Sequence, residues 1–118
     1  MITPADLSAV DLDQVQILDS NGYRIVLRSR STGHCWCLLE QAASGRRSFQ
    51  VLHRHRDSCP YHIQTYRPSI EACCVYIVQH DAFHLEREAA KQKRRRQAIE
   101  RRKAAREMEA GRAGREAL

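Results

Sequence analysis

The chain has 118 residues, of which 42% are hydrophobic, and a formal net charge of +6. The whole excess of positive charge lies in the C-terminal part of the chain. Residues 1–84 hold eight Lys or Arg against eight Asp or Glu, whereas residues 85–118 hold twelve against six. No apolar run is long enough to cross a bilayer, and the first residues lack the basic start and apolar run of a secretory signal. We therefore expect a cytoplasmic protein in a reducing compartment, with no membrane partner and with five cysteines available as metal ligands.

The pattern along the chain predicts an α+β fold in three parts: an N-terminal arm at 1–13, an α+β domain at 14–84 and a basic helical extension with a frayed end at 85–118. Alternating apolar and polar residues predict strands at residues 15–19, 23–30, 34–40 and 48–55. Asn21-Gly22 predicts a hairpin between the first two strands. We expect a small antiparallel sheet of three to five strands, packed by a helix.

The third and fourth predicted strands carry most of the residues with distinctive chemistry. If Leu39 pairs with Phe49, then Cys35 and Cys37 lie on the core-facing side of the sheet. Trp36 lies between the two cysteines in sequence, so this register places it on the opposite, exposed face. On that face Trp36 would be a candidate contact for a nucleic-acid base or a partner protein, and the alternative is that the tail helix packs over it.

A helix is predicted to begin near Ser69, which suits the N-cap position, with the acidic Glu71 in the first turn. Apolar residues at helical spacing would cover the sheet: Ile70, Cys73, Cys74, Ile77 and Val78. Residues 86–110 contain no Pro or Gly and are dominated by strong helix formers, which predicts a long basic C-terminal helix, either separate or as a continuation of the first helix. Gly111 and Gly114 are expected to end its order.

Two short motifs have the spacing of zinc ligands. Cys35 and Cys37 form C-W-C on a predicted strand, and Cys59 and His62 form C-P-Y-H across a predicted turn. Zinc prefers four Cys or His ligands in tetrahedral geometry, commonly supplied as two short-spaced pairs. We therefore predict one structural zinc ion held by Cys35, Cys37, Cys59 and His62. Four protein ligands would leave no open position for catalysis.

The stretch from Tyr23 through C-W-C to C-P-Y-H-I resembles a SWIM-type zinc finger. That family has C-x-C, a variable gap and then C-x-H ahead of a helix, whereas this chain has C-x-x-H. The resemblance covers about residues 23–63, and it implies a zinc-finger-like module that contacts DNA or protein rather than a catalyst.

Other interpretations of the same residues stay open. A histidine-centred metal set has H-x-H-x3-C-x2-H spacing and comprises His53, His55, Cys59 and His62. His53 or His55 could also replace one of the proposed ligands. His80 and His84 are four residues apart on the predicted helix, but no nearby carboxylate supports a metal site there. In the absence of a metal, Cys35 and Cys37 would be small core residues.

The C-terminal extension is the candidate nucleic-acid interface. Its basic residues surround the predicted helix: Lys91, Lys93, Arg94, Arg95, Arg96, Arg101, Arg102, Lys103 and Arg106. Such a helix can follow phosphates by charge without reading bases. The alternative is a solvated helix held by internal pairs such as Glu100–Lys103 and Lys103–Glu107.

These features predict a small zinc-stabilised accessory protein that binds nucleic acid largely without sequence preference. The alternative function is a protein-interaction module, an adaptor or inhibitor such as those of phages and mobile elements. Its basic helix would dock on an acidic or nucleic-acid-binding groove of a partner. We see no triad, phosphate-binding loop or paired carboxylates, so we expect neither catalysis nor a small-molecule substrate.

Overall fold

The structure is a computed structural model that describes residues 1–43 and 45–116. It has two helices and five strands in these residues: α1 (Pro4–Ser8), β1 (Val15–Ser20), β2 (Arg24–Ser29), β3 (Cys35–Ala43), β4 (Arg46–Arg54), β5 (His62–Arg67) and α2 (Ile70–Glu116). The strands form one antiparallel sheet in the order β1-β2-β3-β4-β5. The predicted α+β class is confirmed.

Short turns produce this simple up-and-down sheet. Asn21-Gly22 lies between β1 and β2 as predicted, and the Asn21 side-chain oxygen accepts hydrogen bonds from the backbone N–H groups of Tyr23 and Arg24. Gly33 precedes β3 with a φ of 75°, a backbone conformation that glycine adopts without strain. The total of five strands lies within the predicted three to five, although no strand was predicted for the residues of β5.

One face of the sheet packs against the first turns of α2. The core includes Ile25 and Leu27 of β2, Phe49 and Val51 of β4 and, from α2, the predicted residues Ile70, Cys73, Cys74 and Ile77. These helical residues recur at intervals of three and four, so they lie on one face of α2. We call the face of the sheet that contacts α2 the inner face.

The register of β3 differs by one residue from the prediction. Phe49 pairs with Glu40 rather than with Leu39, and Trp36 pairs with His53. Because strand side chains alternate between faces, this shift moves Trp36 to the inner face and both neighbouring cysteines to the outer face. Trp36 is fully buried, and its indole N–H donates a 2.9 Å hydrogen bond to the Ser29 hydroxyl. The prediction of an exposed Trp36 is therefore wrong.

The segment predicted as an N-terminal arm packs on the same unit as the sheet. Thr3 caps α1 in a reciprocal capping box with Asp6. Val10 is buried in the core, and Leu7 packs against it. The Arg47 guanidinium of β4 donates hydrogen bonds to both carboxylate oxygens of Asp6, at 2.8 and 2.6 Å. Residues 1–13 are thus anchored by apolar burial and by charge.

Helix α2 begins where the sequence predicts. The Ser69 hydroxyl accepts a 3.1 Å hydrogen bond from the Ala72 backbone N–H, as an N-cap side chain does. The helix continues through Gly111 and Gly114 to Glu116, so the expectation that these glycines end it is wrong. The far end of the predicted frayed segment, residues 117–118, lies outside the described residues.

The chain divides into two compact units, Met1–Phe83 and His84–Leu118. The first contains the sheet, α1 and the first turns of α2, and the second contains the remainder of α2. Neither described helix has an apolar stretch of the length needed to cross a bilayer.

Candidate metal centre and nucleic-acid interface

The structure does not bring the four predicted zinc ligands together. Cys35 and Cys37 lie on the outer face of β3, because they alternate with the inward-facing Trp36. His62 pairs with His53 at the start of β5, and their rings lie 5.3 Å apart on the inner face. Cys59 lies in the loop between β4 and β5. The sheet therefore separates His62 from the C-W-C pair.

Cys35 has polar partners of its own on the outer face. Its thiol donates a 3.3 Å hydrogen bond to the Asp57 carboxylate, and that carboxylate forms an ion pair with Arg28 at 3.2 Å. Burial raises the pKa of the neighbouring Cys37 thiol, and the positive charge of Arg24 opposes this effect only in part. Both thiols are free rather than disulfide-bonded.

Three histidines from separate elements meet instead on the inner face. His34 immediately precedes β3, His53 is near the end of β4 and His80 is on α2. One ring nitrogen from each can be chosen so that all three lie within 4.8 Å of one another. Neutral imidazole nitrogens are common metal ligands, so this histidine group could hold a metal ion. We call these three residues the histidine group.

Packing places the three rings. His34 and His53 are almost fully buried, and Nε2 of His53 lies 3.0 Å from Nδ1 of His34. The Trp36 ring is 4.3 Å from the His53 ring and 5.0 Å from the His80 ring, between centroids. An inward-facing tryptophan therefore forms one wall of the histidine group.

Two further histidines lie at the edge of the group. His55 is exposed and stacks on His34, with centroids 4.3 Å apart and ring planes 15° apart. His62 is also exposed and contacts His53 edge to face. Five of the six histidines in the chain are thus clustered on one face of the sheet.

The surroundings keep His53 neutral. Burial, together with charge repulsion from the neighbouring His80, His34, His55 and His62, lowers the pKa of His53 to about 3. A neutral imidazole retains a lone pair, which is the form that binds metals. His53 Nδ1 is buried and has no hydrogen-bond partner.

A carboxylate accompanies the group, although the sequence analysis found none. Asp81, next to His80 on α2, is buried and accepts a 3.2 Å hydrogen bond from the Thr32 hydroxyl. The same hydroxyl accepts a hydrogen bond from the backbone N–H of His34. Asp81 is therefore connected through Thr32 to the segment that carries His34.

Sequence reasoning discounted His80 and did not include His34. The signal for His80 was present, because the buried helical series Ile70, Cys73, Cys74, Ile77 continues with His80 and Asp81. His34 could have been found from strand alternation if Trp36 had been assigned to the core, since residues 34 and 36 share a face.

The predicted nucleic-acid interface lies in the second unit and is helical throughout its described length. All nine predicted basic residues from Lys91 to Arg106 are exposed. Between these two positions the only acidic residue is Glu100. The large apolar side chains Ile99 and Met108 are exposed as well, so the unit has no buried apolar face among its described residues.

These charges are largely unpaired. Lys91 forms an ion pair with Glu88 at 3.5 Å, whereas the other eight basic residues of the 91–106 segment form none within the described part of the chain. The pairs expected for a solvated helix, Glu100–Lys103 and Lys103–Glu107, are not formed. The segment therefore presents a dense, uncompensated positive charge.

Comparison of the chain with protein-family models, with curated proteins and with solved structures found no match. The resemblance to a SWIM-type zinc finger stays a prediction, and the function has to be argued from the residues themselves.

Proposed function

We propose that this protein is a small, zinc-stabilised accessory protein that binds nucleic acid largely without sequence preference. The observation that carries this proposal is the set of eight exposed basic side chains without ion pairs on the 91–106 segment. A row of unpaired arginines and lysines releases condensed counterions when it meets a phosphate backbone, which favours binding to any sequence.

Arginine predominates over lysine in the segment, which supports a phosphate partner. The guanidinium group donates two parallel hydrogen bonds to a phosphate, and it is less strongly hydrated than an ammonium group. Because basic side chains surround the helix, they can contact phosphates on any of its sides, and the helix does not need a fixed position along the nucleic acid. This arrangement favours charge-based binding over the reading of base edges.

The zinc ion of this proposal would stabilise the first unit, whose core comes from about 80 residues. Zinc suits the nitrogen donors of the histidine group. The five cysteines are free, as thiols are in a reducing cytoplasm, and we place the protein there.

The test is the affinity of the full-length chain for labelled duplex DNA, single-stranded DNA and RNA of unrelated sequences, measured by fluorescence anisotropy at graded salt. We expect similar affinities across sequences and a steep fall in affinity with salt. The double variant Arg95→Gln/Arg102→Gln should weaken binding uniformly and reduce the salt slope by about one per lost contact. Glutamine preserves helix propensity while removing the charge.

The matched control removes two exposed arginines from the first unit, Arg46→Gln/Arg56→Gln. This variant has the same net charge as the helix variant, so a purely global charge effect would weaken both equally. Equal loss in the two variants, or binding that does not respond to salt, would contradict the proposal. Absence of nucleic-acid binding with retained capture of an acidic protein surface would favour the protein-interaction alternative.

A further inference from the structure

The histidine group joins three elements that are distant in sequence. His34 follows the β2–β3 turn, His53 is near the end of β4 and His80 is on the first turns of α2. All three belong to the first compact unit. A ligand bound by all three would therefore fasten the helix to the end of the sheet at which His34 and His53 lie.

We propose that His34, His53 and His80 bind one zinc-class transition-metal ion through imidazole nitrogens, with the fourth position left to solvent or to an exposed group. This inference rests on the zinc ion of the proposed function and assigns it a site different from the cysteine set predicted by the sequence. An all-nitrogen donor set suits Zn²⁺ and also accepts Co²⁺, Ni²⁺ and Cu²⁺.

The spacing of the rings suits such an ion. Nε2 of His53 and Nδ1 of His34 are 3.0 Å apart. Two nitrogens on a tetrahedral zinc ion with bonds of about 2.05 Å are separated by about 3.3 Å. The pair therefore needs to open by only a few tenths of an ångström. The ligand nitrogens of all three histidines lie within 4.8 Å of one another, and rotation of the half-buried His80 side chain on α2 can adjust its distance to the ion.

A metal would also account for two almost fully buried imidazoles whose nitrogens face each other, Nε2 of His53 and Nδ1 of His34. Buried polar atoms nearly always have a partner, and a shared ion would be the partner of both facing nitrogens. Two buried imidazoles facing each other share at most one proton between the facing nitrogens. Leucine in place of His53 would fill the same space without an unsatisfied nitrogen. Metal coordination gives these imidazoles a function that packing alone does not.

The exposed edge of the group supplies an entry path. His55 stacks almost parallel to His34. The nitrogen lone pairs of the two rings therefore lie in two nearly parallel planes and do not converge on one ion. His55 therefore supports the orientation of His34. His62 lies beside His53 and is exposed, which makes it the protein group best placed to occupy the fourth position.

Trp36 provides a built-in reporter, because it is the only tryptophan in the chain and contacts two of the three ligands. Titration of the metal-stripped full-length protein with Cu²⁺ should quench its fluorescence with a break at one equivalent, and Zn²⁺ should compete. Co²⁺ should give the visible bands of a tetrahedral complex without a thiolate-to-cobalt charge-transfer band.

Three variants decide the ligand set, with circular dichroism to verify folding. His80→Gln should weaken Zn²⁺ binding by more than the ~10–100-fold typical of losing an outer partner of a ligand. His84→Gln, one helical turn further along α2, should leave the affinity unchanged. Cys59→Ser tests the set predicted from the sequence and should also leave it unchanged.

A thiolate band with Co²⁺, loss of binding in Cys59→Ser, unaltered binding in a folded His80→Gln, or no stoichiometric binding in the wild type would each overturn the inference. Zinc bound through cysteines would leave the proposed function standing while removing this site. Absence of nucleic-acid binding would remove the proposed function while leaving the histidine site intact, so the two failures are distinguishable.

Discussion

Arg47 links the N-terminal segment to the sheet by charge, as the ion pair between the Met1 ammonium group and Glu40 also does, and its replacement by methionine should destabilise the first unit. Its guanidinium donates to Glu40 Oε1 at 2.8 Å, to Asp6 Oδ1 at 2.8 Å and to Asp6 Oδ2 at 2.6 Å. A fourth hydrogen bond goes to the Met1 carbonyl oxygen at 2.9 Å. Methionine retains an apolar side chain of similar length, but it removes every one of these donors and also the guanidinium carbon that lies 4.9 Å from the centre of the Phe49 ring.

The size of the effect follows from the exposure of the partners. Hydrogen bonds to charged groups contribute about 1.5–3 kcal/mol each when buried. The side chains of Asp6 and Glu40 are 14% and 10% exposed, but Arg47 is 39% exposed, so solvent screens the pairs. We therefore expect a loss of about 2 kcal/mol for the whole set, which lowers the melting temperature of a unit of this size by roughly 10 °C.

The destabilisation should depend on pH. Hydrogen bonding to Arg47 is the main reason that the pKa values of Asp6 and Glu40 are lowered. A carboxyl group with a lower pKa in the folded state stabilises that state above its unfolded pKa of about 4. This stabilisation is lost as the pH falls through the folded-state pKa values. The difference between wild type and Arg47→Met should therefore be full at neutral pH and should shrink on acidification.

Urea unfolding of both proteins at neutral pH and near pH 2 measures this difference. Arg46→Met is the matched control, since Arg46 is the neighbouring exposed arginine and forms no ion pair in the described residues. Its effect should stay within about 0.5 kcal/mol. An equal loss in Arg46→Met, or an undiminished loss for Arg47→Met in acid, would refute the argument from charge.

Further predictions concern the core, the thiols, the metal and the basic helix. Ser29→Ala leaves the Trp36 N–H without its acceptor and should cost about 1–3 kcal/mol in urea unfolding. Burial raises the pKa of Cys73 to about 12, so its thiol should resist Ellman's reagent at pH 8 until the protein unfolds, whereas the half-buried Cys59 should react sooner. Zn²⁺ at a hundredfold excess over its Kd should raise the unfolding free energy by about 2.7 kcal/mol in thermal or urea unfolding, and a chelator should reverse this. Contact with about four phosphates predicts a roughly 10²-fold loss of duplex affinity between about 50 and 200 mM salt, measured by anisotropy.

The fold could be predicted where local chemistry is decisive. Asn21-Gly22 specifies a hairpin, and Ser69 followed by the apolar series from Ile70 specifies the start and the buried face of α2. The fifth strand was missed because it follows a loop with Pro60 and ends just before Pro68. Its pairing depends on β4, which is a tertiary interaction that the local pattern does not record.

The candidate metal site was harder to predict because it depends on the register of a single strand. In β3 both faces carry apolar residues, with Trp36 and Leu38 on one and Cys37 and Leu39 on the other, so alternation alone does not decide which faces inward. Tryptophan buries far more apolar surface than cysteine does, and its N–H finds the Ser29 hydroxyl as a partner in the core. Burial of Trp36 is therefore the stronger requirement, and it brings His34 inward with it.

That choice of face determines which metal ligands can meet. In β4 the buried His53 lies on the inner face, and because His34 also faces inward, the two imidazoles meet there. The buried stripe of α2 then supplies His80 to the same place. A metal site that used Cys35 and Cys37 together with His62 would require both thiols to face inward, and β3 would then have to expose Trp36. The core would lose the burial of its largest side chain. The same preference that fixes the strand register thus favours nitrogen over sulfur ligands, and for that reason a cobalt spectrum tests the fold and the site together.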